Sequence, residues 1–570
     1  MSLKNNIISP LRKFFGDARW LAIWIPLVLI VPNIALSITE PVSWLSAVVN
    51  ILLPYGVYML IMTLWKRTGI SALMTIPFMF FAGFQIVLLY LYGGSVIAVD
   101  MFLNVVTTNV SEATELLGNL MLAMGVVIIL YVPAIIWGVY ATVRKSKLQK
   151  SFRKTLAQTG GIITVVGGLL AAIAAMTTSG YSFIHETFPL NAISNMIEAC
   201  HRYDETERHE ELSSGFTYDA RFTGNPDERE VYVFVVGETA RGDNWQLGGY
   251  ERETNPLLSN EEGLVFFKKS ISESNTTHKS VPMLISFANA ENFDSIAHYK
   301  SIITAFKEAG FSTAFISNQL RNRSFTEHFG NEADTTIYVT DATSKNHPYD
   351  EAVLQPLSRL LSDSSARKQL IVIHTYGSHF KYLDRYPESF SFFTPDQAID
   401  ASLSNRDQLI NAYDNTIRYT DFILHSIIST LREQDCRAAL IYASDHGEDI
   451  FDDERHRFLH ASPAPTYWQI HQASLVWLSP KLTQDNPEMA MALKDNSRKR
   501  ISPQKSLFPT AMQLASISSP LVVDSLSLVS SHYHPAPPVY LNDLNQPLPI
   551  NSCGLKETDL KKLMPLIDTK

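Results

Sequence analysis

The sequence predicts two physical classes joined in one chain: a five-helix transmembrane domain, then an α/β soluble domain whose central, mostly parallel sheet is covered by helices on both faces. Three observations predict it. Long stretches between Trp20 and Met176 carry almost no charge, whereas later segments have ordinary globular composition. Five apolar runs each reach the roughly 20 residues that a bilayer core requires. From about residue 230 onward, short apolar strand-like runs alternate with helical patterns. The chain has 570 residues, too many for one core. It divides into a membrane domain over 1–180, an interfacial helix and charged linker over 181–229, and the α/β domain over 230–570.

The predicted spans are roughly 20–39, 43–64, 70–91, 117–141 and 159–178. The fifth is rich in Gly and Ala (Gly160, Gly161, Gly167, Gly168, Ala171, Ala172), which suits close helix packing in lipid. No small-residue cleavage site follows the first run, so it reads as a span and not a signal peptide. Positive charges stay on the cytoplasmic side, and here they fall in alternate loops. Lys4, Arg12, Lys13 and Arg19 precede the first span; Lys66 and Arg67 follow the second; Arg144, Lys145, Lys147, Lys150, Arg153 and Lys154 follow the fourth. Segments 40–42 and 92–116 contain no Lys or Arg. The N-terminus is therefore expected in the cytoplasm, and everything after about residue 180 outside. The basic run at 144–154 is read as a topology determinant. A net charge of -9 and a pI near 6.0 exclude a general nucleic-acid binder.

Segment 92–116 is polar for a short connection. Asn104, Thr108 and Glu112 recur every four residues, which on a helix places an amide, a hydroxyl and a carboxylate on one face. That face suits an ammonium or hydroxyl headgroup, although an N-cap and a solvated turn explain the spacing equally. Residues 181–200 read as an interfacial helix bearing Phe183, Phe188, Leu190, Ile193, Met196 and Ile197. The dense charge of 201–229 reads as a linker.

In the soluble half, strands are expected at 230–236, 312–317, 369–374, 438–443 and 473–478, with helices near 297–309, 350–362, 406–433 and 504–516. Polar chemistry collects just after these strands, where open α/β sheets build their sites. The first runs into Gly237-Glu238-Thr239, the third ends in His374 before Gly377-Ser378-His379, and the fourth runs into Ser444-Asp445-His446-Gly447-Glu448. Singly, a strand-end Glu is ordinarily a cap, and His374, His456 or His460 ordinary core or loop histidines. Together they are the residue types that bind a divalent cation such as zinc. No GxSxG elbow exists. The hydroxyl-rich segment Ser272–Ser280 opens a helix and offers Thr276 or Thr277 as nucleophile or as plain N-cap. The three cysteines (Cys200, Cys436, Cys553) contain no CxxC pair, and a Cys436–Cys553 bridge is the one disulfide considered.

With these motifs in hand, the chain resembles the phosphoethanolamine transferases of the alkaline phosphatase superfamily. The resemblance covers nearly its whole length. It is carried by the five-span start, Asn104/Thr108/Glu112, Gly237-Glu238-Thr239-Ala240-Arg241, Gly249-Tyr250, Thr254-Asn255-Pro256, Thr277 before Ser280-Val281-Pro282, His374 to His379, and Ser444-Asp445-His446-Gly447-Glu448. Residues 107–113, 250–256 and 379–387 are most similar to the branch that modifies the lipopolysaccharide core.

The resemblance implies an alkaline phosphatase-like fold and a catalytic domain in the periplasm of a bacterial inner-membrane protein. It implies that Thr277 is the nucleophile, three residues before Ser280-Val281-Pro282, and that Glu238, Thr277, Asp445 and His446 hold one zinc. His379 and His460 would contact the phosphoryl group, and His374 would support substrate or a second metal. Asn104, Thr108 and Glu112 would bind lipid or ethanolamine. The implied reaction moves phosphoethanolamine from phosphatidylethanolamine to Thr277, releasing diacylglycerol, and then to an envelope glycolipid, lipopolysaccharide core or lipid A. The sequence departs from the family in three places. Three cysteines cannot supply the several disulfides of the lipid A branch. Asn318, Gln319, Arg321 and Arg323 stand where a donor-phosphate Lys is expected, and His278-Lys279 replaces smaller residues after the nucleophile. Two alternatives compete: a phosphoglycerol transferase of the lipoteichoic acid synthase kind, and an inert envelope sensor or assembly protein. The CxPxR motif of a sulfate-ester hydrolase is missing.

Overall fold

The computed structural model describes residues 15–40, 42–107, 120–178, 181–342, 347–363 and 366–567. The chain forms two compact units, one of residues 1–102 and 116–200, the other of 103–115 and 201–570.

In the first unit, α1 (Ala18–Leu29) and α2 (Val31–Thr39) make one 22-residue apolar run, broken at Ile30. Three more helices are long and apolar enough to cross a bilayer: α3 (Trp44–Ile61), α7 (Met121–Val143) and α8 (Lys150–Thr177). The third expected span is different. In place of one helix over 70–91 there are two, α4 (Thr68–Leu73) and α5 (Ile76–Tyr92), so four helices among the described residues meet the length criterion where five spans were expected. Pro77 sits at the start of α5, where a missing N–H costs nothing, and the Thr75 hydroxyl donates to Ala72 O at 2.6 Å to close α4. A short α6 (Val99–Thr107) follows.

The glycines of α8 act on one face only. A methyl group on Gly167 would meet the Leu53 backbone at 2.9 Å, and one on Gly160 would meet Met59 Cβ at 3.0 Å, whereas Gly161 and Gly168 face open space. One glycine of each pair lets α8 and α3 approach closely. Asn33 and Asn50 are buried together, the Asn33 amide donating to Asn50 O at 2.8 Å and Asn50 Oδ1 accepting from the Phe188 N–H at 2.9 Å. Beyond α8, the expected interfacial helix is two pieces, α9 (Phe183–Glu186) and α10 (Leu190–Glu207). The charged stretch after residue 200, expected as linker, is helical through Glu207. Its Asp204, Glu205 and Glu207 are exposed on the helix surface, while Arg202 is half-buried.

The second unit is built on a seven-stranded sheet: β1 (Glu230–Gly237), β2 (Leu264–Phe266), β3 (Ser312–Ser317), β4 (Thr335–Tyr338), β5 (Lys368–His374), β6 (Arg437–Ser444) and β7 (Ser474–Leu478). The spatial order is β2-β7-β6-β1-β5-β3-β4. The five strands from β6 to β4 pair in parallel; β7 pairs antiparallel to both β6 and β2, so the sheet is mixed. Alternation along β1 divides the core. Tyr232, Phe234 and Val236 join the apolar cluster under α11 (Thr277–Leu284), α12 (Ile302–Glu308) and α16 (Pro503–Leu514). Val231, Val233 and Val235 join the opposite cluster under α14 (Leu354–Leu361) and α15 (Arg406–Arg432). In chain order α13 (Phe325–Gly330) comes between α12 and α14, and its Phe329 belongs to the first cluster. The three cysteines are unpaired. Cys436 and Cys553 are buried in different apolar clusters, which rules out the bridge considered from sequence.

Candidate active site

Strands β6, β1 and β5 lie side by side and end at the same edge. Gly237 is opposite Ser444, and Val236 is opposite His374, so the residues just beyond each strand are neighbours in space. This register brings Glu238 and the Asp445–His446 pair together, all three buried. Thr277 arrives from the other direction, as the first residue of α11 behind the N-cap Thr276.

Four donor atoms then face one another. Thr277 Oγ1 lies 3.3 Å from Glu238 Oε1 and 3.2 Å from His446 Nε2. His446 Nε2 is 3.1 Å from Asp445 Oδ2 and 3.9 Å from Glu238 Oε1. Ligands held about 2.0 Å from a tetrahedral zinc are about 3.3 Å apart, so this spacing fits a divalent metal. Two further observations agree. Asp445 Oδ2 is buried without a hydrogen bond. His446 donates its Nδ1–H to Gly447 O at 2.9 Å, which leaves the Nε2 lone pair facing the other three atoms. His460 also reaches the group, because Glu238, His446 and His460 each offer a ligand atom within 4.8 Å of the others.

Burial sets the electrostatics. It holds the imidazoles of His446 and His379 well below the usual histidine range and pushes His374 down to about 4, so all three stay neutral near pH 7. Burial also pushes the Asp445 carboxyl up, against the hydrogen bonds it accepts from the N–H groups of Thr239 and His446. A nearby cation favours the charged carboxylate again.

Of the four residues whose donor atoms face one another, Glu238 and Thr277 border a cavity of about 160 Å³, lined also by His374, His379, His460 and Asn104. Asn104 belongs to segment 103–115, which clusters with the second unit. Thr108 and Glu112 lie outside the described residues. His379 donates Nδ1–H to Phe380 O at 2.6 Å, His460 Nδ1 is 3.4 Å from Glu448 Oε1, and the two rings are 6.3 Å apart. Both nitrogens of His374 are buried without a hydrogen bond. Of the residues standing where a Lys was expected, Gln319 lines the cavity and donates to Thr375 O at 3.0 Å. Asn318 is buried against Asp350, Arg321 covers the Tyr338 ring, and Arg323 is exposed.

Sequence reasoning passed over the residues that hold this arrangement. Thr239 sits at φ 59, a left-handed backbone rare for a β-branched residue. From there its N–H donates to Asp445 Oδ1 at 2.9 Å and its hydroxyl to Glu238 Oε1 at 2.7 Å, while its carbonyl accepts from Tyr413 at 2.6 Å. Asp350, buried, accepts from the N–H groups of Tyr376 and Gly377 at 2.8 Å each, fixing the loop between His374 and His379. In the sequence Thr239 shows only as a member of the Gly237–Arg241 motif, with no role of its own, and Asp350 carries no signal.

Residues 230–517 match the sulfatase family, and the match spans strands β1 to β7 with the whole strand-end site. The chain belongs to the sulfatase family. Among curated sulfatase-family relatives, it is 30% identical over 399 residues to the Kdo(2)-lipid A phosphoethanolamine 7''-transferase of Escherichia coli (strain K12), covering 67% of this chain and 66% of that protein. It spans between about half and two thirds of the length of the curated relatives it matches. The second unit is similar to the C-terminal periplasmic domain of EcEptC from Escherichia coli, solved in complex with Zn. That match has 26% identity and a TM-score of 0.54, and covers 60% of this chain and 97% of that one. The fold as a whole is similar to the integral membrane protein lipooligosaccharide phosphoethanolamine transferase A from Neisseria meningitidis. There the identity is 21% and the TM-score 0.67, over 90% of this chain and 97% of that one. The sulfatase-family sheet occurs here in a chain that also carries four helices long and apolar enough to cross a bilayer.

Proposed function

We propose that this chain is a zinc-dependent phosphoethanolamine transferase. It takes phosphoethanolamine from phosphatidylethanolamine and passes it, through a phosphoethanolamine–Thr277 intermediate, to an envelope glycolipid, lipopolysaccharide core or lipid A. The observation that carries this reading is the Thr277 hydroxyl, 3.3 Å from Glu238 and 3.2 Å from His446 at the start of a helix. The relatives named as phosphoethanolamine transferases supply the group transferred.

Glu238, Thr277, Asp445 and His446 would hold the metal. When bound, zinc lowers the pKa of a coordinated hydroxyl and offsets charge on phosphoryl oxygens. Thr277 Oγ1 attacks phosphorus, and the helix N-terminus behind it favours the developing negative charge. The bond to diacylglycerol breaks and its oxygen takes up a proton. His379 and His460, which line the cavity, contact the phosphoryl oxygens, and His374, in the same lining, supports the substrate. Asn104, Thr108 and Glu112 hold the ethanolamine or the adjoining lipid. The acceptor oxygen then repeats the displacement, freeing Thr277. We assign 1–180 to a five-span inner-membrane domain with a cytoplasmic N-terminus, and 230–570 to a periplasmic catalytic domain. Anchoring keeps the site near a donor that stays in the bilayer and raises its effective concentration.

The test is diacylglycerol release from phosphatidylethanolamine by purified full-length protein. Thr277→Ala is expected to lose it, and a Thr277→Ala protein that turns over at the wild-type rate would falsify the assignment.

A further inference from the structure

A second, smaller cavity of about 60 Å³ adjoins the catalytic one and shares two walls with it, His278 and Ser324. Its floor is apolar, formed by Phe293, Ile296 and Phe325, and three cationic side chains line it, Arg202, Lys279 and Arg323. Lys279 is 1% exposed, and its ammonium donates to Asn542 O at 2.9 Å. Arg202 donates to the neighbouring Asp543 O at 2.9 Å. Backbone carbonyls of one turn thus hold both cations beside the pocket. Two carboxylates, Glu205 and Asp294, also reach its rim, but both are solvent-exposed, where their charge is screened far more than that of a buried ammonium.

We propose that this pocket is the acceptor subsite and that it takes an anionic sugar, one bearing a phosphate or a carboxylate. The inference rests on the transferase reading above. After the first displacement phosphoethanolamine remains on Thr277 and occupies a cavity of only about 160 Å³, so the acceptor must be held beside that cavity. The second pocket begins one residue along α11, at His278. Guanidinium and ammonium groups recognise phosphate and carboxylate by charge-assisted hydrogen bonds, and an apolar floor accepts the carbon face of a sugar ring. In the transfer, the acceptor's hydroxyl or monoanionic phosphate oxygen forms the new P–O bond. The P–Oγ1 bond to Thr277 breaks, and the acceptor's proton ends on Thr277 Oγ1. His278-Lys279, the pair that sets this sequence apart after its nucleophile, is thereby assigned to acceptor choice.

The experiment uses full-length protein with phosphatidylethanolamine and either of two acceptors, a phosphorylated hexosamine lipid or a lipid-linked sugar acid. It reads the ratio of phosphoethanolamine transferred to phosphoethanolamine lost to water. Arg202→Gln and Arg323→Gln are each expected to lower that ratio about tenfold at subsaturating acceptor, the loss of one charge-assisted contact. The acceptor that shows the drop identifies the anion. A ratio equal to wild type in both variants with both acceptors overturns the proposal. Calorimetric titration of the same proteins with hexosamine 1-phosphate and with the free sugar acid gives a readout independent of turnover. An affinity of the Arg202→Gln protein equal to wild type for both overturns it as well. If wild-type protein releases no diacylglycerol at all, the transferase reading fails instead, which the titration distinguishes.

Discussion

Thr239 joins both carboxylates of the candidate metal centre, donating its N–H to Asp445 and its hydroxyl to Glu238. Groups that orient metal ligands this way typically contribute 10–100-fold to affinity. Thr239→Ala is therefore expected to weaken zinc binding by about tenfold or more while the chain still folds, and titration of the stripped protein with zinc checks it; an unchanged affinity would contradict the role. A second prediction concerns His347, stacked on Tyr376 at 3.8 Å. Burial, with Arg385 nearby, pushes its imidazole down to about 4. The sign follows from linkage: between about 6.5 and 4 the unfolded chain binds the proton and the native one does not. Stability is then present above pH 6.5 and lost as pH falls toward 4, by at most about 1.4 kcal/mol per pH unit. His347→Phe keeps a stacking ring without the proton, so its melting temperature should fall less than wild type's between pH 7.5 and 5. Equal falls would exclude His347 as a source. These side chains show what the sequence conceals. Glu238, Asp445 and His446 are legible because strand ends are chemically expressive, whereas Thr239 matters through a left-handed backbone and His347 through burial, and neither leaves a mark in residue type.

At the scale of elements, the five strands expected from apolar runs coincide with β1, β3, β5, β6 and β7 to within one residue at each end. The two not expected are the edge strands, β2 with three residues and β4 with four, the latter reading Thr-Thr-Ile-Tyr. Three apolar residues are too short a run to show a period, and β4 opens on two threonines, so neither edge strand stands out from its loops. The division of the third expected span is a case of the same kind: its hydropathy is continuous, and the break comes from Pro77 and a local Thr75 hydrogen bond. Sheet order was also out of reach, because pairing β5 beside β1 depends on long-range packing. That pairing has a consequence for Gly377, in the loop after β5. It has φ +54, and a methyl group there would meet Glu238 O at 2.7 Å and Glu238 N at 3.0 Å. Gly377→Ala should cost about 1–3 kcal/mol from backbone strain alone, and it should also push the ends of β5 and β1 apart. Turnover is expected to fall by more than the stability loss explains. Activity measured well below the variant's melting temperature decides this; wild-type turnover there would show that the loop yields without disturbing Glu238.

At the scale of the whole molecule, the proposal that the soluble domain faces away from the cytoplasm rests on the alternation of basic and charge-free connections. The cysteines make this testable without mutation. Cys200 is exposed at the end of the first unit, while Cys436 and Cys553 are buried, with thiols pushed up to about 11 and about 12 by burial. A thiol reacts as its thiolate, so at pH 7.5 a membrane-impermeant maleimide has one practical target. If the domain lies outside, intact spheroplasts should take up one label per chain, at Cys200, and a Cys200→Ser chain should take up none. Lysis before labelling should add little, since the two remaining thiols stay protected by the fold. Labelling of Cys200 only after lysis would reverse the orientation. It would also separate the site from an outer-leaflet acceptor, because a group held on Thr277 reaches only molecules on its own side of the bilayer.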